Sequence, residues 1–531
     1  MSTANGEITR RLEIGKVFDR LARDEDRDGK SYRVYAHHLV RACWHGSRIT
    51  LRQTSPEAEG IFDFILLAHQ ACAGEWENFI GHGLAKEEVD SWLEFAGMFM
   101  SNLGNYFEDG NRKVIPDISV SALRKMASIS TKASAKLEEI IGPMMSAQPV
   151  KLGHPDETSQ SGYYPGVEKI TKEEVEALSG VITVSGIEPD TTRLLKNSEL
   201  QLYGEVQIPD QPLAKVYLRR GDHSKEMRNI CLELAEAQKP ATTSDQAAEM
   251  SHLINNFRTG DYKEVLWEAL RVWAQDKAPR IEHTIGFFFP YRDPSRIRPD
   301  WLATVGIADA EETEKLGQLV ARSTEFIRSL PWAVSENDGK GPFEYAKLEA
   351  PDFAIIHSLA SVSFTVWEAF KINLNLGDGM NYGVKNILYS NRMALNSNPG
   401  RPCYYVHPSE ADSYMKYAHI VRFITTSIHE LLGHGMGKLL RETAPGEFNF
   451  DLQNPPISPV TGQPIHNWYK PNETWGTVFG KLASTVEECG AFLFADYFID
   501  NKDILALFGY DDHSFPTAYD CEYSKSESNM A

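Results

Sequence analysis

Apolar positions along this chain recur mostly at helical spacing, and one stretch near its middle alternates instead. Residues 8–147 predict helices, with Ile61-Phe62-Asp63-Phe64-Ile65-Leu66-Leu67-Ala68 and Trp92-Leu93-Glu94-Phe95-Ala96-Gly97-Met98-Phe99 as buried-helix patterns. A loop rich in Pro, Gly and Ser spans 150–166. Short strands are predicted at Val181-Ile182-Thr183-Val184, Leu200–Ile208 and Lys215–Arg219. Helices return over 224–277 and 309–330, and loops at 331–352 and 396–411 frame a mixed segment. The connector 443–475 carries Pro445, Pro455, Pro456, Pro459, Pro464 and Pro471. A connection that long inside a domain is functional or wraps a surface. Just before it, Ile420, Phe423, Ile424, Ser427, Ile428, Leu431 and Leu432 form an apolar stripe at helical spacing. Gly433, Gly435 and Gly437 end that helix.

The end of the helix carries the chemistry. His429-Glu430-Leu431-Leu432-Gly433-His434 reads H-E-x-x-G-H, one residue longer than the H-E-x-x-H signature of zinc hydrolases. In an ideal α-helix, positions i and i+5 stand roughly 140° apart. Both imidazoles can reach one metal ion only through a wide π turn, and Gly433 makes that departure cheap. Glu430 on a mostly apolar helix is costly without a task. A third ligand is expected on a later helix, in Thr485-Val486-Glu487-Glu488-Cys489-Gly490-Ala491. Adjacent helical residues point about 100° apart, so one of the two acids can face a metal while the other supports it.

These motifs resemble the dipeptidyl peptidase III family of zinc exopeptidases, most closely its fungal-like members. The resemblance rests on the six-residue run, on Gly435-Met436-Gly437-Lys438-Leu439 and on Glu487-Glu488-Cys489. Leu51-Arg52-Gln53-Thr54-Ser55-Pro56-Glu57, Trp273-Ala274-Gln275-Asp276-Lys277, Glu282-His283-Thr284-Ile285-Gly286-Phe287 and Tyr291-Arg292-Asp293-Pro294 extend it. It covers roughly residues 30–515. The resemblance implies an α+β fold of two lobes with a wide cleft between them. A lower lobe (1–300) would hold helices and a five-stranded β-barrel. An upper, mostly helical lobe (301–521) would carry zinc, and 522–531 would be a polar tail. It implies one zinc ion held by His429, His434 and Glu488, with Glu430 as general base and Glu487 as a supporting acid. Glu282 and Asn373 would hold the ammonium group of a short peptide, from which dipeptides are released.

Four departures are visible. Thr284 stands where resembling sequences have Tyr, Leu376 where they have a substrate-binding Asn, and Phe492 where they have an acid that orients a zinc-bound His. The C-terminal portion of the pattern, which supplies further substrate-binding groups, has no counterpart, so a truncated chain is expected. The alternative reading is therefore a non-catalytic or weakly active isoform that binds zinc and peptides.

Bulk properties narrow the setting. A length of 531 residues exceeds one core and suggests two lobes. The net charge of −20 argues against nucleic acid or an anionic membrane as partner. No apolar run is long enough for a membrane helix, and the first residues lack a secretory apolar segment. Six scattered Cys without a C-x-x-C pair fit a reducing compartment. A cytoplasmic monomer acting on short peptides is the resulting expectation.

Overall fold

A computed structural model gives the structure of the chain. It describes residues 28–107, 111–166, 168–184, 193–196, 204–206, 214–216, 221–260, 264–331, 352–365, 369–376, 380–393, 407–409, 411–434, 440–458, 460–471, 473 and 475–510. The fold is a mixed α+β one, built around one sheet with helices packed on it.

Five strands form that sheet: β1 (Ile281–Phe288), β2 (Asp300–Ala308), β3 (Asp352–Val362), β4 (Ala369–Leu376) and β5 (Met380–Tyr389). Their spatial order is β1-β2-β3-β5-β4, with β3 and β5 parallel and the other neighbours antiparallel. The sheet curls into a half-barrel, and among the described residues β1 and β4 each pair with a single neighbour. A register shift between Val305 and Gly306 adds curl where β2 meets β3.

Strand alternation sorts the side chains onto two faces. On the outer face, Ile281, Ile285, Trp301, Ala303, Val305 and Ile307 pack into a core shared with the N-terminal helices. Those helices include α1 (Asp28–His45), α2 (Ser47–Thr54), α3 (Ala58–Ala71), α4 (Lys86–Asn102), α5 (Val120–Ala127) and α6 (Thr131–Met145). Gly46, at the junction of α1 and α2, lies against the sheet. A Cβ there would fall 1.9 Å from Trp301 Nε1, so only glycine permits the contact.

The run Val181-Ile182-Thr183-Val184 is the end of helix α7 (Lys172–Val184), not a strand. Thr171 and Glu174 form a reciprocal capping box, with Thr171 N donating to Glu174 Oε2 at 2.8 Å and Glu174 N donating to Thr171 Oγ1 at 3.3 Å. That start launches a helix which carries through the β-branched residues, and Ile182 is buried in a local apolar cluster. Of the other two strand runs, Gly204–Val206 pairs antiparallel with Ala214–Val216 outside the main sheet. The rest of both runs lies outside the described residues.

Helices α8 (Ser224–Gln238), α9 (Ser244–Thr259) and α10 (Glu264–Gln275) complete the support of the sheet. Residues of α10 join Phe288, Leu302, Ala354, Ile356, Phe370, Ile387 and Tyr389 in a core on the sheet's inner face. Lys385 ties that face together. Its Nζ lies 2.9 Å from Glu282 Oε2 and donates to the carbonyls of Trp273 (3.1 Å) and Asp276 (3.0 Å) just at and beyond the C-terminus of α10. Both side chains of this ion pair are wholly buried. Lys385→Met should destabilise the protein by about 3–5 kcal/mol, because it strands the Glu282 charge. Adding Glu282→Leu should recover most of the loss, as measured by urea unfolding.

Past β3 the outer face meets a second helical layer. Ile355 and Leu388 pack with α11 (Ala310–Ala321), α12 (Ser323–Arg328), α13 (Ala411–Ile428), α14 (Ala483–Phe498) and α15 (Lys502–Leu507). Among the described residues, no helix is long and apolar enough to cross a membrane.

Candidate metal centre

Helix α13 runs into the core on Ile424, Ile428, Leu431 and Leu432, all fully or almost fully buried. Ser427 turns its hydroxyl back onto the Phe423 carbonyl at 2.7 Å, a contact that bends helices. Immediately afterwards the chain widens into a π turn over His429–Gly433. His434 N donates to the His429 carbonyl at 2.9 Å, one residue wider than an α-helical bond. The π turn expected from the six-residue spacing is present. It sets the two rings edge to face, with centroids 4.7 Å apart.

Helix α14 crosses this turn at backbone contact. A Cβ on Gly433 would stand 2.7 Å from Ala491 Cα and 2.8 Å from its carbonyl oxygen. Glycine at 433 thus serves close approach as well as the widened backbone. Ala491, Ala495 and Phe498 anchor α14 in the core. One turn before Ala491, on the same face, Glu487 and Glu488 meet the histidines. His429 Nε2 lies 3.2 Å from Glu488 Oε2, and His434 Nε2 lies 3.7 Å from Glu488 Oε1. His434 Nδ1 meets Glu487 Oε1 at 3.1 Å.

The donor set fits zinc. Zinc bonds to His N and carboxylate O are about 2.0–2.1 Å, which puts tetrahedral ligand atoms roughly 3.2–3.5 Å apart. The His429–Glu488 separation of 3.2 Å falls on that scale, and the His434–Glu488 separation of 3.7 Å lies just beyond it. His429, Glu430 and His434 offer donor atoms within 4.8 Å of one another. Three carboxylates gathered around two imidazoles repel one another unless a cation sits among them. His434 also has the supporting carboxylate that a zinc-bound histidine uses on its far nitrogen.

His429 does not. Its Nδ1 is buried with no hydrogen-bond partner among the described residues. The Phe492 ring packs on it instead, with centroids 4.6 Å apart. The imidazole is held by an apolar contact where a hydrogen bond would raise its basicity. Phe492→Glu should therefore tighten zinc binding about 10- to 100-fold, read by chelator competition. Unchanged affinity would mean that the bare Nδ1 costs the site nothing.

Two residues without a role in the sequence reading also stand here. Asn386, wholly buried on β5, donates from Nδ2 to Glu430 Oε2 at 2.8 Å. Its sequence signal is slight: a polar pair, Lys385-Asn386, just before the apolar Ile387-Leu388-Tyr389. Tyr291 follows β1 after a left-handed turn at Phe289 (φ 49°). Burial, then the nearby Glu488 carboxylate, push its phenol above the usual value. Position along the chain gave no hint that Tyr291 would feel the charge of this carboxylate.

Glu282 is not brought to the centre. Lys385 and Asn386 are consecutive on β5 and point to opposite faces of the sheet. Lys385 faces Glu282, while Asn386 faces Glu430. The sheet therefore stands between Glu282 and the metal centre. Glu282 is fully enclosed, and its second partner is Trp273 Nε1 at 2.7 Å. Burial raises its pKa despite the adjacent Lys385. Asn373 stands on edge strand β4, its backbone opposite Val384, and its side chain lies outside what the structure describes. Thr284 is buried within β1. Gly435, Met436, Gly437, Lys438 and Leu439 lie outside the described residues.

The chain is similar to known proteins over most of its length. A family model for peptidase family M49 matches residues 135–525. Dipeptidyl peptidase 3 of Homo sapiens is 29% identical over 517 residues, covering 90% of this chain and 68% of the relative. The protein of that name from Mus musculus is 28% identical over 514 residues, with coverage of 90% and 68%. That from Dictyostelium discoideum is 30% identical over 504 residues, covering 90% and 70%. Among solved structures, DPP III from Caldithrix abyssi superposes with a TM-score of 0.55 at 14% identity, covering 94% of this chain and 75% of that chain. Dipeptidyl-peptidase III from Corallococcus sp. strain EGB gives 0.51 at 16% identity, covering 93% and 74%. At such identities these two likenesses speak for the fold alone.

Proposed function

Because this chain belongs to peptidase family M49, we propose that it is a zinc-dependent exopeptidase releasing dipeptides from the N-termini of short peptides. The observation that carries the reading is the π turn, which aims His429 and His434 at the Glu488 carboxylate. The names of the relatives supply the dipeptide-releasing activity. His429, His434 and Glu488 would hold the zinc ion, leaving one position open as in catalytic sites. Bound there, zinc would lower the pKa of water to about 7 and polarise the scissile carbonyl.

The protein's own groups do the rest. Glu430 accepts the proton of the attacking water and returns it to the leaving amine. Glu487 fixes the His434 ring through Nδ1. Asn373, on edge strand β4, stays in the proposal as a contact for the substrate's ammonium group. Glu282, across the sheet, is assigned to holding Lys385 instead. Short peptides are the partners this reading requires, and action as a cytoplasmic monomer belongs to the same proposal.

The bare His429 Nδ1 and the Phe492 contact favour a second reading, a weakly active chain that binds zinc and peptide. Hydrolysis of an arginyl-arginyl fluorogenic amide, with zinc measured on the same sample, separates the two. Turnover that a chelator abolishes and added zinc restores supports the exopeptidase. Stoichiometric zinc without turnover supports the binding protein, and absence of zinc overturns both.

A further inference from the structure

The Glu430 carboxylate has two oxygens, and the structure treats them differently. Oε2 accepts from Asn386 Nδ2 at 2.8 Å. Glu430 is half-buried, while the Asn386 side chain is wholly enclosed. Its own Oδ1 is buried and unpartnered among the described residues, so the amide makes one good hydrogen bond, and that bond goes to Glu430. An unsatisfied amide oxygen is expensive to bury. The strand keeps the residue all the same.

The backbone explains why Asn386 cannot turn away. Lys385, its neighbour, is locked on the inner face by Glu282 and by two carbonyls near the end of α10. Asn386 also sits mid-ladder, opposite Phe353 of β3 and Lys371 of β4. With the register pinned on both sides, the amide is delivered to the outer face, toward the π turn.

We propose that Asn386 is a positioning residue for Glu430: it holds Oε2 and leaves Oε1 as the oxygen that takes and returns the proton. The inference rests on the peptidase reading and adds to it a specific geometric demand. A carboxylate rotating about its terminal torsion, which is soft and roughly two-fold, would spend part of its time with neither oxygen aimed at the attacking water. One charge-assisted hydrogen bond removes that freedom. A neutral amide does so without adding charge to a centre that already gathers Glu430, Glu487 and Glu488.

The test compares Asn386→Leu and Asn386→Asp with the parent chain. Leu keeps the shape and lacks the donor. Asp keeps the shape and sets a second carboxylate against Glu430. Both variants should retain zinc and an unchanged KM, with kcat lowered about 10- to 100-fold. In a Glu430→Gln background, Asn386→Leu should change the residual rate little, since the two residues act as one unit. A purely structural role would lower kcat by the same factor in both backgrounds and would overturn the proposal. A folded Asn386→Leu variant with parental kcat would overturn it too. If Asn386→Leu does not fold, Asn386→Asp decides alone: parental kcat contradicts the proposal and a selective loss supports it. An infrared difference spectrum, parent minus Glu430→Gln, reads the Glu430 carboxylate band without any turnover. That band should shift in both Asn386 variants, and an unmoved band sinks the inference. A parent chain that hydrolyses no peptide would refute the peptidase reading, while the infrared shift would still report on Asn386.

Discussion

Glu430→Gln should lower peptide hydrolysis by about 10²–10⁴-fold, the range expected for removing a general base, while zinc stays bound. The substitution keeps the shape of the side chain and the acceptor oxygen facing Asn386 Nδ2. It removes only the capacity to take a proton. The imidazoles and Glu488 are untouched, so zinc content and thermal stability should match the parent chain. Metal analysis and steady-state kinetics on one preparation check this. Loss of zinc together with turnover would make Glu430 a ligand instead, a role its donor atom could fill at its distance from the two rings. Full turnover would remove Glu430 from the mechanism.

Gly433→Ala should have the other large effect, acting on the metal and not on the proton. The added methyl would lie 2.7–2.9 Å from three atoms of Ala491, two of them backbone, which cannot swing aside as a side chain can. Overpacking of this kind costs about 1–3 kcal/mol of stability. The sharper consequence falls on α14, which must retreat and take Glu487 and Glu488 with it. Zinc affinity should fall by more than the roughly 100-fold upper range for losing a supporting partner, because a ligand is displaced along with the supporting carboxylate. Chelator competition measures the affinity and urea unfolding the stability. Parental zinc affinity would mean that the close crossing of α14 over the π turn does not assemble the centre.

Much of this centre was legible because its elements are local. The run from His429 to His434 announces its own geometry, since two histidines five residues apart cannot share a metal on a regular helix. The π turn follows from that constraint. Glu487 and Glu488 stood out as acids in an apolar helix, and the structure sets them beside the histidines. Phe492 stood out only as a departure from the pattern of resembling sequences, since a Phe in an apolar helix carries no local signal, and its ring is on His429.

The less legible parts depend on which face of the sheet a residue takes. Glu282 belongs to a motif that follows the family order, yet strand alternation sends it inward to Lys385. One residue of register decides between that face and the one bearing Asn386. Tyr291, in a different part of the chain, feels the Glu488 charge, and no periodicity carries such information. The strand expected at Val181–Val184 failed for a related reason. β-branched composition is a weak preference, and the capping box at Thr171 and Glu174 outweighed it.

The most direct test of the proposed activity is the mass of the first product. A free-N-terminus octapeptide would be incubated with the zinc-loaded chain, beside an N-acetylated copy of the same peptide, and both followed by mass spectrometry. The account predicts a dipeptide and its complementary hexapeptide from the free peptide, no cleavage of the acetylated one, and none from either after chelation. Release of single residues, internal cleavage, or equal cleavage of the acetylated peptide would contradict it.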